Sequence, residues 1–92
     1  MTANKRSKVD IYSAIFDSLR KESTKDGKAS PTRVAHRANI SYDRFLKILD
    51  HLVELDMVRR TDDGLEITEK GLKCHQEIKR SNTVLQRLGL SL

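Results

Sequence analysis

The feature that most constrains this 92-residue chain is a change of hydrophobic period near residue 57. Before it, apolar residues recur every three or four positions, the spacing of helices with one buried side. From Met57 the pattern alternates. Met57, Val58, Arg59, Arg60 and Thr61 read as a short strand, Asp62-Asp63-Gly64 as a turn, and Leu65, Glu66 and Ile67 as a second strand. Thr68 then caps a last helix that begins at Glu69.

Upstream, the spacing predicts three helices. The first runs from about Lys8 to Glu22, with Val9, Tyr12, Ile15, Phe16 and Leu19 as its buried stripe. A polar connection over 23–28 follows. Ser30 as N-cap and Pro31 at the first helical position start the second helix, and Asn39 ends it in the left-handed conformation. Ser41 caps the third, from Tyr42 to about Leu55, whose wide apolar arc predicts burial of most of its circumference. Only a few residues separate helices two and three. The order helix, helix, helix, hairpin, helix is that of a helix-turn-helix followed by a wing, a mainly α (α+β) fold. Residues 1–7 read as a flexible basic arm, 8–68 as the winged-helix domain, and 69–92 as a dimerisation helix and tail.

Composition fits one small domain and narrows the function. The net charge is +5, and residues 1–60 carry all of the excess, 13 basic against 8 acidic, while 61–92 carry 5 of each. A basic module joined to a neutral tail fits a unit that binds a polyanion and an element that assembles it. Cys74 is the single cysteine, so no internal disulfide is expected, and a reducing compartment suits it. No apolar run approaches a membrane span, and the first residues lack the apolar stretch of a secretory signal. A cytoplasmic, chromosome-associated protein is expected.

In a helix-turn-helix the second helix of the pair enters the major groove. At about 100° per residue, Arg44, Lys47 and His51 fall together opposite the apolar arc, with Asp43, Asp50 and Glu54 as an acidic stripe beside them. Arg44, near the helix start, is placed to pair with guanine, a contact worth about 1–3 kcal/mol of discrimination. Ser41 and Tyr42 are placed to reach phosphate. Thr32, Arg33 and Arg37 would clamp a phosphate strand from the second helix, and Arg59 and Arg60 would reach the backbone or minor groove from the hairpin. Arg44 and Lys47 read equally well as an ordinary solvated face with local ion pairs. Asp62 and Asp63 are turn chemistry.

The last helix extends to about Leu88. Leu72 is expected to pack on the preceding domain. Ile78, Leu85 and Leu92 repeat every seven residues, and Cys74, Ser81 and Leu88 form a second, partly polar row, a weak coiled-coil seam. Burial of Leu85, Leu88, Leu90 and Leu92 against a second copy is the simplest solution, which makes Cys74, Ile78, Ser81, Leu85 and Leu88 the expected dimer interface; the alternative is a helix folded back on its own domain.

The segments RSKVDIY over 6–12, RVAHRANISY over 33–42, FLKIL over 45–49, LEITEKGL over 65–72 and LQRLGL over 85–90 are similar to those of a known group. Nearly the whole chain resembles the small archaeal winged-helix proteins described as chromatin proteins or transcriptional regulators. The resemblance implies a homodimer held by an antiparallel coiled coil of the last helices, with duplex DNA bound through helix three and the wing. The group tends to have a lysine at the position of Pro31, and the seam here is interrupted by Ser81 and Asn82.

Catalysis has no constellation to rest on. His36, His51 and His75 are scattered, Cys74 and His75 point in different directions on one helix, and neither metal-ligand spacing nor a Gly-rich phosphate loop occurs. No cofactor, metal or small-molecule ligand is expected. Beside a regulator binding duplex DNA as a homodimer, two readings stay open: a sequence-independent chromosome coater, and a winged helix that docks other proteins.

Overall fold

The computed structural model describes residues 7–23 and 27–87, with side chains up to 81. Six elements follow in order: α1 (Lys8–Glu22), α2 (Pro31–Ala38), α3 (Tyr42–Glu54), β1 (Val58–Thr61), β2 (Gly64–Ile67) and α4 (Glu69–Arg87). Local chemistry sets most of the ends. Ser7 Oγ accepts from Asp10 N at 3.1 Å while Asp10 Oδ2 accepts from Ser7 N at 3.3 Å, a reciprocal capping box at the start of α1. Asn39 closes α2 with φ 60°, ψ 47°. Ser41 Oγ accepts from Arg44 N at 3.3 Å to open α3. Ser30 has cap backbone geometry, but its side chain makes no capping bond, so Pro31 carries that helix start.

The core lies where α1, α2 and α3 meet the hairpin. Its members are Ile11, Ile15, Phe16 and Leu19 of α1, Val34, Ala35 and Ala38 of α2, Phe45, Leu49 and Leu52 of α3, and Val58 and Leu65 of the strands. Two expected faces turn out differently. In α1, Ile15, Phe16 and Leu19 are buried as expected, but Val9 is 46% exposed and Tyr12 only partly buried, and Ile11 and Ser18 join the buried side instead. In α3 full burial stops at Phe45, Leu49 and Leu52; Leu46, Ile48 and Val53 pack only partly, and Leu55 faces solvent. One side of α3 is thus left open for other contacts.

The strands pair antiparallel in the register Val58↔Ile67, Arg59↔Glu66, Arg60↔Leu65 and Thr61↔Gly64, which leaves Asp62 and Asp63 as the turn. The other edge of β2 is also occupied. Ala29 N donates to Leu65 O at 2.8 Å and Leu65 N donates to Ala29 O at 2.7 Å, an antiparallel bridge from the segment before α2. Gly64 makes this approach possible. It sits at φ 140°, and a Cβ there would lie 2.7 Å from the Ala29 carbonyl oxygen. The polar connection over 23–28 gave no sign of such a strand partner.

α4 is tied down at its base. Thr68 Oγ1 donates to Asp56 O at 2.6 Å and accepts from Gly71 N at 3.0 Å, which joins the turn after α3 to the start of α4. Gly71 packs so closely that a Cβ would meet the Met57 carbonyl oxygen at 2.2 Å. His75 is buried, its ring centroid 5.8 Å from that of Phe16 on α1. Cys74 and Ile78 of the same helix are partly buried against the core. Leu72 is half-buried.

Candidate nucleic-acid interface

The expected contact residues divide into three groups. The first lies on α2. Thr32, Arg33, His36 and Arg37, with Glu22 of α1, line an open hollow of about 550 Å³. Arg37 Nε donates to Glu22 Oε2 at 2.6 Å, so its charge is already matched across the α1–α2 contact. Arg33 is exposed and makes no ion pair among the described residues.

The second group lies on α3. Ser41, Tyr42, Arg44, Lys47 and His51 are all exposed, and neither Arg44 nor Lys47 has an ion-pair partner among the described residues. The local ion pairs that an ordinary solvated face would use are absent from these two side chains. Tyr42 stays 46% exposed because its ring rests at 6.4 Å from Phe45, at the edge of the core and not inside it.

The third group is the hairpin, and here the acids intervene. Arg60 Nη2 donates to Asp50 Oδ1 on α3. Arg59 Nη1 lies 3.4 Å from Glu66 Oε1 on the neighbouring strand, and Lys28 Nζ donates to Glu66 Oε2. The Lys28 hydrogen bond and charge, with Arg59 behind them, hold the Glu66 carboxyl below its ordinary range. Between α3 and the hairpin runs an apolar hollow of about 180 Å³, lined by Tyr42, Leu46 and Leu49 on one side and by Arg60, Thr61 and Leu65 on the other, with Pro31 at its end. Sequence reasoning placed the arginines correctly on the hairpin but had no signal for these pairings, which join residues distant in the chain.

An exposed, Ser-capped helix following a short helix and preceding a two-stranded hairpin is the arrangement shared by one large group of proteins, and residues 5–86 match that group. The chain belongs to the winged helix-turn-helix family. Among solved structures it is similar to Sso10a-2, a DNA-binding protein from Sulfolobus solfataricus, with 31% identity and a TM-score of 0.66 over 90% of this chain and 85% of that one. It is also 28% identical over 75 residues to an uncharacterized protein of Methanocaldococcus jannaschii, covering 82% of this chain and 75% of that protein. In family terms α3 is the recognition helix and β1–β2 the wing.

The expected dimer residues are placed as follows. Cys74 and Ile78 pack partly on this chain's own core, and Ser81 is exposed. The side chains of Leu85 and Leu88 lie outside the described residues, as do residues 1–6 of the expected arm 1–7, whose last residue, Ser7, is the N-cap of α1. Among the described residues, no helix is long and apolar enough to cross a membrane, and no group of three or more His, Cys, Asp or Glu side chains stands ready to hold a metal.

Proposed function

We propose that this protein binds duplex DNA through α3, acting by binding and not by catalysis. The observation that carries the reading is the pair Arg44 and Lys47, exposed and without ion-pair partners on the open side of the recognition helix. The family and the likeness to a DNA-binding protein support it. Arg44 sits in the first turn of α3, where side chains of such helices reach base edges, and Lys47 one turn further along meets phosphate or base. Arg33 adds a phosphate contact from α2. Anisotropy of a labelled mixed-sequence duplex, titrated across a salt series, tests this. Binding that weakens steeply with salt supports it; no binding at low salt removes it.

The finer reading is a transcriptional regulator working as a homodimer. The sequence supports assembly through the seam of Cys74, Ile78, Ser81, Leu85 and Leu88 and the leucines beyond it; Cys74 and Ile78 are only partly buried on the chain's own core, which leaves the rest of each side chain for a second copy. Sedimentation of the full chain tests the dimer, and a marked preference for one duplex over unrelated ones separates a regulator from a chromosome coater. A second reading, a protein-docking winged helix, is favoured by one observation: Arg37, Arg59 and Arg60 are matched by acids of the same chain. It predicts a negative result in the duplex titration.

A further inference from the structure

The Asp50–Arg60 contact fixes which side of α3 faces the wing. Around the helix, Asp43, Asp50 and Glu54 form the acidic stripe between the partly buried Leu46 side and Lys47. Because Arg60 of β1 reaches Asp50, the wing leans on this acidic stripe, and the cationic Arg44–Lys47 side lies beyond it. A duplex engaging both α3 and the wing therefore has to pass over Asp50. Both partners of the pair are exposed, 48% and 63% for the arginine and aspartate side chains, so solvent, salt and phosphate reach them freely. An exposed pair of this kind is worth only about 0–1 kcal/mol. A DNA phosphate offers the same guanidinium a comparable two-oxygen acceptor carrying its own negative charge. The carboxylate thus stands where a phosphate would stand, and holds the wing arginine in the absence of DNA.

We propose that Asp50 is an internal competitor for the DNA backbone: it occupies Arg60 in the free protein, and Arg60 exchanges the carboxylate for a phosphate when duplex binds. The inference rests on the duplex-binding reading above. It makes Asp50 the residue that tunes affinity downward, through a contact between the recognition helix and the wing, with no change in either element's fold. Arg59 is held differently. Its acceptor, Glu66, is on the adjacent strand and shared with Lys28, so releasing Arg59 leaves Glu66 satisfied and moves neither element.

A double-mutant cycle in duplex affinity tests this, with the wild-type chain, Asp50→Asn, Arg60→Gln and the double variant titrated across a salt series. All positions are exposed; thermal melting verifies folding, and Asp50→Ser serves in place of Asp50→Asn if the latter does not fold. Competition predicts that Asp50→Asn binds at least about threefold tighter at low salt, with the salt dependence steepened by about one released counterion per protein. It also predicts that Arg60→Gln costs less than about twofold alone but removes most of the gain in the Asp50→Asn background, a non-additivity that through-space charge alone does not produce. Additive effects, with the same Asp50→Asn gain whether or not Arg60 is present, overturn the competitor role and leave the duplex reading intact. Absence of wild-type binding at low salt overturns the duplex reading and this inference with it.

Discussion

The recognition helix and the wing carry similar numbers of cationic side chains, yet they present their charge in opposite ways. On α3, Arg44 and Lys47 extend into solvent with no carboxylate of the described residues against them. On the hairpin, Arg59 meets Glu66 and Arg60 meets Asp50. The difference comes from where the neighbouring acids fall. The acids of α3 lie on the side turned to the wing, beside Lys47 and about a quarter-turn from Arg44, while antiparallel pairing puts Glu66 directly across from Arg59. Charge counted along a sequence is therefore not charge available to a partner. It must be discounted wherever the fold brings an acid within reach.

The severest way to break the comparison is to break the joint that sets wing against helix. Gly71→Ala would place a Cβ 2.2 Å from the Met57 carbonyl oxygen, backbone that cannot swing aside. A loss of roughly 2–4 kcal/mol is expected in chemical denaturation. An unchanged midpoint would mean that the α4 base tolerates a shift and that the wing's position is less fixed than described.

Next in size is the functional contrast. Removing Arg44 and Lys47 together should weaken duplex binding by about 30-fold or more, through one base contact and one phosphate contact. Removing Arg59 and Arg60 together should cost less than about fivefold, since each must first leave a carboxylate. Equal losses in the anisotropy titration would erase the distinction between the two elements.

A smaller effect concerns the helix that backs them both. Burial lowers the His75 pKa from its usual value near 6.5, and the charges of Lys79 and Arg20 push the same way against a weaker opposing pull from Asp17. Arg20 Nη1 lies 3.5 Å from His75 Nδ1, and a guanidinium has no lone pair to offer, so that nitrogen is the unprotonated one. A folded-state pKa below the unfolded one means that the unfolded chain takes up the proton first. Stability is then complete above about pH 6.5 and declines as pH falls below it. The wild-type melting temperature should drop between pH 7 and 5.5, and His75→Phe should flatten that part of the profile. A profile equally steep in the variant would place the titrating group elsewhere. The acid-side loss from Glu66, whose pKa is lowered, belongs to the carboxylate range and does not overlap this window.

The smallest effect is the most diagnostic of exposed pairing. Arg60→Gln should change stability by less than about 1 kcal/mol, because both partners are largely solvated. A larger loss in denaturation would show that the pair holds the wing in place and does more than occupy it.

The six elements were legible in order and nearly in extent because their signals are local. Pro31, Asn39, Ser41 and the Asp62-Asp63-Gly64 turn each act within a few residues of themselves, and the change of period at Met57 marks where helix gives way to strand; the Ser7–Asp10 capping box escapes the sequence reading, which counts Ser7 with the arm. The sequence also located the cationic side chains on their elements and the neutral character of the last third. The tertiary structure alone decided the rest. Ala29 becomes a strand partner only because Gly64 lets it approach. His75, a polar ring on a surface-looking helix, becomes core only because Phe16 of a distant helix stacks near it. Arg37, Arg59 and Arg60 lose their apparent freedom to Glu22, Glu66 and Asp50, while Arg44 and Lys47 keep theirs. Burial and ion pairing depend on distances between elements, and Coulomb interaction over a few ångströms takes no account of separation along the chain.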